Sequence, residues 1–280
     1  MLVIDRHAGT SPFPRATSVS TRSMELLRVW GLESGAAGAR RRHARTAADR
    51  DLAHPGVPVH ALVPFGYPTD EQVYAVSPTS PCYCPQDHLE PVLARYLETG
   101  GGQLRFHTEL RGLRSDSAGV TVELIEHGQP SHVEVRYLIG ADGPRSTVRS
   151  ALGIGVEELG TLGDFLAVTF RADLTDRLPH VPSTINAVEI PGADGILVPT
   201  SADDRWIYAY QLQPGAPVNC GIEACTERVR IATGLPDLRP EILSVMQFEM
   251  GRTWRTRCAP VAGSWSATPR TAPHPRAGSG

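Results

Sequence analysis

The sequence predicts an α/β fold in which a sheet with parallel strands is combined with a second, strand-rich region. The chain opens on the apolar run MLVIDR, which is closed by an acid, as in a buried parallel strand. The segment TRSMELLRVWGL places its apolar residues at helical spacing and stops at Gly31, which predicts an amphipathic helix. Residues 164–213 contain four strand-like runs, FLAVTFRADL, NAVEI, GILVP and RWIYAYQL.

Composition limits the class of protein. The chain has 280 residues, of which 41% are hydrophobic and 20% charged, as expected for a soluble protein with one large domain or two ordinary ones. A net charge of −3 argues against nucleic acid as the main partner. No apolar run could span a membrane, and the N-terminus lacks a signal peptide pattern. The five cysteines show no zinc-ligand spacing and are interpreted as reduced thiols of a cytoplasmic protein.

The remaining elements follow in chain order. Residues 51–80 are Pro-rich and contain the strand-like pieces VPVHALVPF and QVYAV. The segment QDHLEPVLARYLETGGG predicts a helix that continues through Glu98. Strands are predicted at QLRFH, VTVELIEH and HVEVRYLIGAD, and the last becomes a buried run at residues 137–139. A short helix at GPRSTVRSALGI, a helix at ACTERVRIATG and a strand at EILSVMQFEM complete the chain.

Asp5 is the first candidate binding residue. An acid at the carboxyl end of a parallel strand can accept hydrogen bonds from a ribose diol, although most strand-end acids are ordinary loop residues. A dinucleotide-binding fold places G-x-G-x-x-G on a strand–helix turn roughly 20 residues before such an acid. That turn would precede Met1.

A second candidate lies in YLIGADGPRSTVRSALGI. The predicted strand delivers Gly140, Asp142 and Gly143 to a tight turn, where the carboxylate can reach hydroxyl groups and the glycines let a ligand approach the backbone. The alternative is a plain strand–turn–helix corner. Pattern and context together make this signal more specific than Asp5 alone.

The motif IGADGPRSTVR resembles the G-A-D-G-x-x-S-x-V-R motif of FAD-dependent aromatic-ring monooxygenases, the para-hydroxybenzoate hydroxylase-like family with its polyketide and phenol hydroxylases. The resemblance extends from Leu2 to about Met250. It implies a Rossmann-like FAD-binding domain of the glutathione-reductase type with an inserted, mostly antiparallel β substrate domain. It also implies that NAD(P)H reduces FAD and that one atom of molecular oxygen is transferred to an aromatic or polyketide-type molecule.

The resemblance assigns roles to individual residues. Arg15, in PRATSVSTRSMELLRVWGL, matches an arginine on the FAD pyrophosphate. Gln86 matches the glutamine of the Q-x-x-L-E-x-x-L helix start that contacts the flavin side, and Asp142 matches an aspartate at the ribityl or pyrophosphate region. No catalytic acid or base is identified, and His88 and His107 are interpreted as surface or helix residues. The predicted cofactor-binding residues are Asp5, Arg15, Gln86, Gly140, Asp142 and Gly143.

The same resemblance predicts domain boundaries. Residues 1–50 and 81–161 are assigned to the FAD-binding domain, and residues 51–80 and 162–251 to the substrate domain. Neither nucleic acid, membrane nor metal is expected as a partner. The alternative hypothesis is a non-functional or merely folded fragment of such an enzyme that cannot hold FAD.

The C-terminal segment 252–280 departs from the rest of the chain. It contains no Asp, Glu, Lys, Leu, Ile or Phe, and the whole chain lacks lysine, which indicates a G/C-rich gene. The family carries a second motif, G-D-A-A-H-x-x-P-P-x-G-G-x-G, after the substrate region. Read two bases later through G/C-rich codons, the segment from Val261 gives R-G-F-L-V-G-D-A-A-H-R-T-P-P-A-G-G-F-G. We therefore expect this tail to be the motif read out of frame from about Arg252.

The resemblance further predicts that the gene encodes a strand and a G-x-G-x-x-G turn directly upstream of Met1, because MLVIDR has the pattern of a second strand. Sequencing the flanking DNA tests this expectation. Upstream DNA without such coding potential in any frame would contradict it.

Overall fold

The computed structural model describes residues 1–14, 16–38, 70–117, 119–174, 177, 185–200, 204–215 and 218–255. Arg15, the predicted strand-like run at 57–65 and the tail from residue 256 lie outside the described residues. Within the described part of the chain, no helix is both long and apolar enough to cross a membrane.

The described residues form helices and strands that confirm the predicted α/β fold and most of the predicted elements. In chain order these elements are β1 Leu2–Ile4, α1 Thr21–Val29, α2 Glu33–Gly38, α3 Asp70–Tyr74, α4 Gln86–Thr99, β2 Gln103–Arg105, β3 Thr108–Ser115, β4 Val120–Glu126, β5 Gln129–Val135, α5 Thr147–Ala151, β6 Val156–Arg171, β7 Asn186–Val188, β8 Gly195–Pro199, β9 Arg205–Gln211, α6 Ile222–Thr233 and β10 Glu241–Arg255.

The chain separates into two compact units. The first comprises Met1–Gly9, Leu97–Leu162 and Met250–Gly280, and the second comprises Thr10–Tyr96 and Gly163–Glu249. These boundaries group the chain by packing, and the predicted division into cofactor and substrate domains stays a prediction.

The first unit contains a parallel strand pair and an antiparallel sheet. Strands β1 and β2 run parallel, with Val3 opposite Leu104, as the apolar opening of the chain predicts. Strands β3, β4 and β5 form an antiparallel sheet with β4 in the centre. The inward residues of β4 are buried because alternate side chains of a strand point to one face. They pack against Ile4 of β1 and Leu138.

The second unit is built on a five-stranded sheet in the order β10-β6-β9-β8-β7. Strand β9 lies in the middle and pairs antiparallel with β6 and β8. Two of its buried aromatic side chains have their polar groups satisfied: Trp206 Nε1 donates to Ala172 O at 3.1 Å, and Tyr208 Oη donates to Ala193 O at 2.7 Å. These bonds let large aromatic residues fill the core without an unpaired polar group.

A smaller core of the second unit lies under α1. Met24 and Leu27, the inward residues of α1, pack with Val19, Cys82 and Cys84. The backbone N–H of Val19 donates to Cys82 O at 2.8 Å, which ties the start of α1 to the chain before α4.

Two predicted elements differ from the structure. QVYAV was expected to be strand-like, but its first residues belong to helix α3, and Ala75 N donates to Glu71 O at 3.0 Å. A short apolar run of this kind fits the periodicity of a helix and that of a strand, so the pattern alone does not distinguish between them. Residues 137–139 were expected to be a buried strand, but β5 ends at Val135.

The exposure of residues 137–139 explains the second difference. Tyr137 and Ile139 are 62% and 61% exposed, whereas Leu138 packs against the core of the three-stranded sheet. Neighbouring residues of an extended chain point to opposite sides, so only the middle residue of the apolar run reaches that core.

A buried ion pair joins the start of α4 to β9. Arg205 Nη2 lies 2.7 Å from Asp87 Oδ2, and both side chains are only 10% exposed. On the neighbouring strand, Arg171 lies opposite Arg205 and pairs with Glu241 at 2.7 Å, with side chains 45% and 62% exposed. The two ion pairs therefore have the same N–O distance, but the Arg205–Asp87 pair is buried and the Arg171–Glu241 pair is exposed.

We expect Arg205→Met to lower the free energy of unfolding by about 3–5 kcal/mol, because it leaves the Asp87 carboxylate buried without its cationic partner. Arg171→Met, which breaks the exposed pair, should cost about 0–1 kcal/mol. Urea unfolding followed by circular dichroism measures both. Equal losses in the two variants would contradict the importance of the buried pair.

Candidate functional site

Asp5 follows β1 at the carboxyl end of the parallel strand pair. Its backbone N–H donates to Arg105 O at 2.9 Å, which continues the pairing with β2. Asp5 Oδ1 accepts two hydrogen bonds from His7, one from the backbone N at 2.8 Å and one from ring Nδ1 at 2.7 Å. Among the described residues nothing donates to Oδ2, and the side chain is 48% exposed. One carboxylate oxygen is thus anchored by His7, and the other is an acceptor without a donor among the described residues.

The Asp142 carboxylate caps helix α5. Its Oδ1 accepts from Ser146 Oγ, and its Oδ2 accepts from the backbone N–H of Val148 at 3.1 Å. Ser146 Oγ in turn accepts from Arg149 N at 3.0 Å, as an N-cap serine does. Asp142 is exposed, and each carboxylate oxygen can accept a second hydrogen bond, so the cap leaves room for a ligand hydroxyl.

The two glycines of this turn serve different purposes. Gly143 has φ +79°, a backbone conformation that favours glycine, and a Cβ at this position would meet nothing within 4 Å. At Gly140, which is buried, a Cβ would lie 2.9 Å from Val148 Cγ1. Gly140 therefore allows α5 to pack closely, whereas Gly143 permits the turn and leaves its surface open.

Gln86 is the first residue of α4. Its backbone N–H donates to Ala16 O at 2.9 Å, and its side-chain Nε2 donates to Glu90 Oε1 one turn later in the helix. Gln86 belongs to the second unit, whereas the turn 140–143 and Asp5 belong to the first. Arg15 lies outside the described residues.

Two residues outside the predicted set, Glu90 and His7, hold predicted side chains in place. Glu90 accepts a hydrogen bond from the backbone N–H of Ser11 at 2.6 Å in addition to that from Gln86. The sequence contains a pattern that could have pointed to Glu90, since this residue is the acid of the Q-x-x-L-E motif. His7 had no signal beyond its position two residues after Asp5.

The described residues contain little that could act as a metal centre or nucleophile. No group of three or more His, Cys, Asp or Glu side chains among them could hold a metal ion. Burial raises the pKa of the Cys84 thiol to about 11, so this residue stays protonated near neutral pH. His88 lies in α4 beside Asp87, and His107 is exposed, with its ring centroid 5.1 Å from that of His127.

Comparison with known proteins identifies the family of this chain. The model of the family described as "FAD binding domain" matches residues 1–259. Tetracenomycin A2 monooxygenase-dioxygenase of Streptomyces glaucescens is 32% identical over 93% of this chain and 52% of its own length. Aklavinone 12-hydroxylase DnrF of Streptomyces peucetius is 32% identical over 96% of this chain and 55% of its own length.

Solved structures give the same result. The flavin-dependent monooxygenase PieE, in complex with FAD and substrate, has a TM-score of 0.78 and 27% identity over 95% of this chain and 48% of its own. Aklavinone-11 hydroxylase, in a ternary complex with FAD and aklavinone, has a TM-score of 0.78 and 28% identity over 95% of this chain and 51% of its own. The chain spans about half the length of the curated relatives it matches. With nearly its whole length matched by the family model, the chain belongs to the FAD binding domain family.

Proposed function

We propose that this chain acts within a flavin-dependent monooxygenase that uses NAD(P)H and molecular oxygen to hydroxylate an aromatic or polyketide-type small molecule. The proposal is supported by family membership and by relatives whose names describe monooxygenases and polyketide hydroxylases. The observation that carries it is the half-exposed carboxylate of Asp5 at the carboxyl end of a parallel strand, where such folds bind a ribose.

The residues present fit the sugar and linker portions of FAD. FAD offers the hydroxyl donors of a ribose and a ribityl chain, and Asp5 Oδ2 is an acceptor without a donor among the described residues. The turn at Gly143 is open where a Cβ would stand, so its backbone is accessible to a ligand. An acceptor carboxylate and an accessible glycine turn are what a hydroxyl-rich, backbone-contacting cofactor needs.

Each predicted residue has a role in this proposal. Asp5 would hold the ribose, Asp142 with its glycine turn would hold the ribityl or pyrophosphate region, and Gln86 would contact the flavin side. Arg15 would contact the pyrophosphate. The chemistry that FAD supplies when bound is two-electron transfer from NAD(P)H and activation of oxygen for insertion of one atom into an electron-rich ring.

The domain assignment belongs to the same proposal. Residues 1–50 and 81–161 would form the FAD-binding domain, and 51–80 with 162–251 the substrate domain. The five-stranded sheet β6–β10 with its aromatic core would be the apolar framework of the latter. We also propose a cytoplasmic location, since the four described cysteines are thiols rather than disulfides, a state that a reducing compartment maintains.

Asp142→Ala should weaken FAD binding by about ten- to a hundred-fold, because a lost charge-assisted hydrogen bond costs roughly 1.5–3 kcal/mol. His127→Ala, at the turn between β4 and β5, should leave the affinity near wild type. Quenching of FAD fluorescence measures the dissociation constants, and circular dichroism checks that both variants are folded. Equal affinities for the two variants would refute the assignment of the turn.

Asp5→Asn should weaken binding of FAD but not of FMN, because FMN lacks the adenosine ribose assigned to Asp5. Asp142→Ala should weaken both flavins, because the ribityl chain is common to them. Glu134→Gln, an equivalent charge change on an exposed residue of β5, is the matched control. A loss of FMN affinity in Asp5→Asn equal to its loss of FAD affinity would place Asp5 elsewhere on the cofactor.

A further inference from the structure

The Glu90 carboxylate joins two segments that are far apart in sequence. Glu90 lies in α4, one turn after Gln86, and is half-buried. Its Oε2 accepts from the backbone N–H of Ser11 at 2.6 Å, and its Oε1 accepts from Gln86 Nε2. Both bonds have a carboxylate oxygen as their acceptor, and hydrogen bonds to carboxylates are generally stronger than those between neutral groups.

The same segment is tied to α4 a second time. The backbone N–H of Gln86 donates to Ala16 O at 2.9 Å. The N-terminal part of α4 therefore holds the segment 11–16 at both ends, at Ser11 through the Glu90 carboxylate and at Ala16 through the Gln86 backbone. All these atoms belong to the second unit.

The chemistry of Glu90 also decides how the Gln86 amide is turned. A carboxylate only accepts hydrogen bonds, whereas an amide has a donor end and an acceptor end. The NH₂ group of Gln86 must therefore point to Glu90, and its carbonyl oxygen is directed away. The substitution Glu90→Gln would give this position a donor as well as an acceptor, so it would no longer require the NH₂ group of Gln86 to point towards it.

We propose that Glu90 is a positioning residue for the cofactor contact of Gln86. Its carboxylate fixes the orientation of the Gln86 amide and also anchors the segment that begins at Ser11. The amide and this segment would therefore keep one fixed arrangement when FAD binds. This inference rests on the proposed function. It assigns Glu90 more than a structural role, because FAD binding would depend on the direction in which Glu90 holds the Gln86 amide.

Two substitutions separate these roles in the 280-residue chain. Glu90→Ala removes both hydrogen bonds. Glu90→Gln keeps the size and can still accept from Ser11 N–H with its amide oxygen, but its NH₂ group then faces the NH₂ group of Gln86, so the Gln86 amide has to turn over. Glu98→Gln is the matched control, because Glu98 is an exposed acid on the same helix.

Two measurements are made on each variant, amide hydrogen exchange at Ser11 without flavin and FAD affinity by fluorescence quenching. We expect Glu90→Ala to speed the exchange of Ser11 and to weaken FAD binding at least ten-fold. Glu90→Gln should keep Ser11 protected and still weaken FAD binding about ten-fold. Glu98→Gln should match the wild type in both measurements.

The outcomes that overturn the inference are distinct from those that overturn the proposed function. Wild-type FAD affinity in Glu90→Gln would show that the direction of the Gln86 amide is irrelevant. If Glu90→Gln lost both the protection of the Ser11 amide from hydrogen exchange and the affinity for FAD, the role of Glu90 would be structural only. A wild-type chain that does not quench FAD would overturn the proposed function, and the positioning role with it.

Discussion

Hydrogen bonds from backbone N–H groups to carboxylates hold the acidic side chains of the candidate site. Asp5 receives such a bond at 2.8 Å, Asp142 at 3.1 Å and Glu90 at 2.6 Å. A carboxylate that accepts from a backbone N–H is held in one rotamer, because the position of the donor is set by the fold. Each of these three carboxylates is thus held in a defined direction by a backbone donor.

The same bonds link ligand binding to folding. Asp142 caps α5, and Gly140 lets that helix approach, so the turn that would contact FAD is also the start of a helix. Glu90 holds a segment 79 positions away as well as its own helical neighbour. Residues with two roles of this kind cannot be replaced without affecting local structure, which is why conservative substitutions are more informative than truncations to alanine.

Family membership and geometry contribute different parts of the functional argument. The family model covers residues 1–259 and establishes an FAD binding domain. The matched relatives are about twice as long as this chain, so their activities come to it only as a proposal. The geometry adds which oxygen atoms are available, namely Oδ2 of the half-exposed Asp5 and the oxygens of the capping Asp142, which retain acceptor capacity.

The sequence by itself determined the fold class, most elements and the positions of the candidate residues. Apolar periodicity and glycine stops are local signals, so α1, α4, α6 and β9 were predictable. The short runs at 72–76 and 137–139 were not, because their exposure depends on which neighbour they meet. Only the tertiary structure showed that Asp87 is buried against Arg205 and that Glu90 reaches Ser11. Such contacts join residues distant along the chain, and no local pattern records which acid meets which donor.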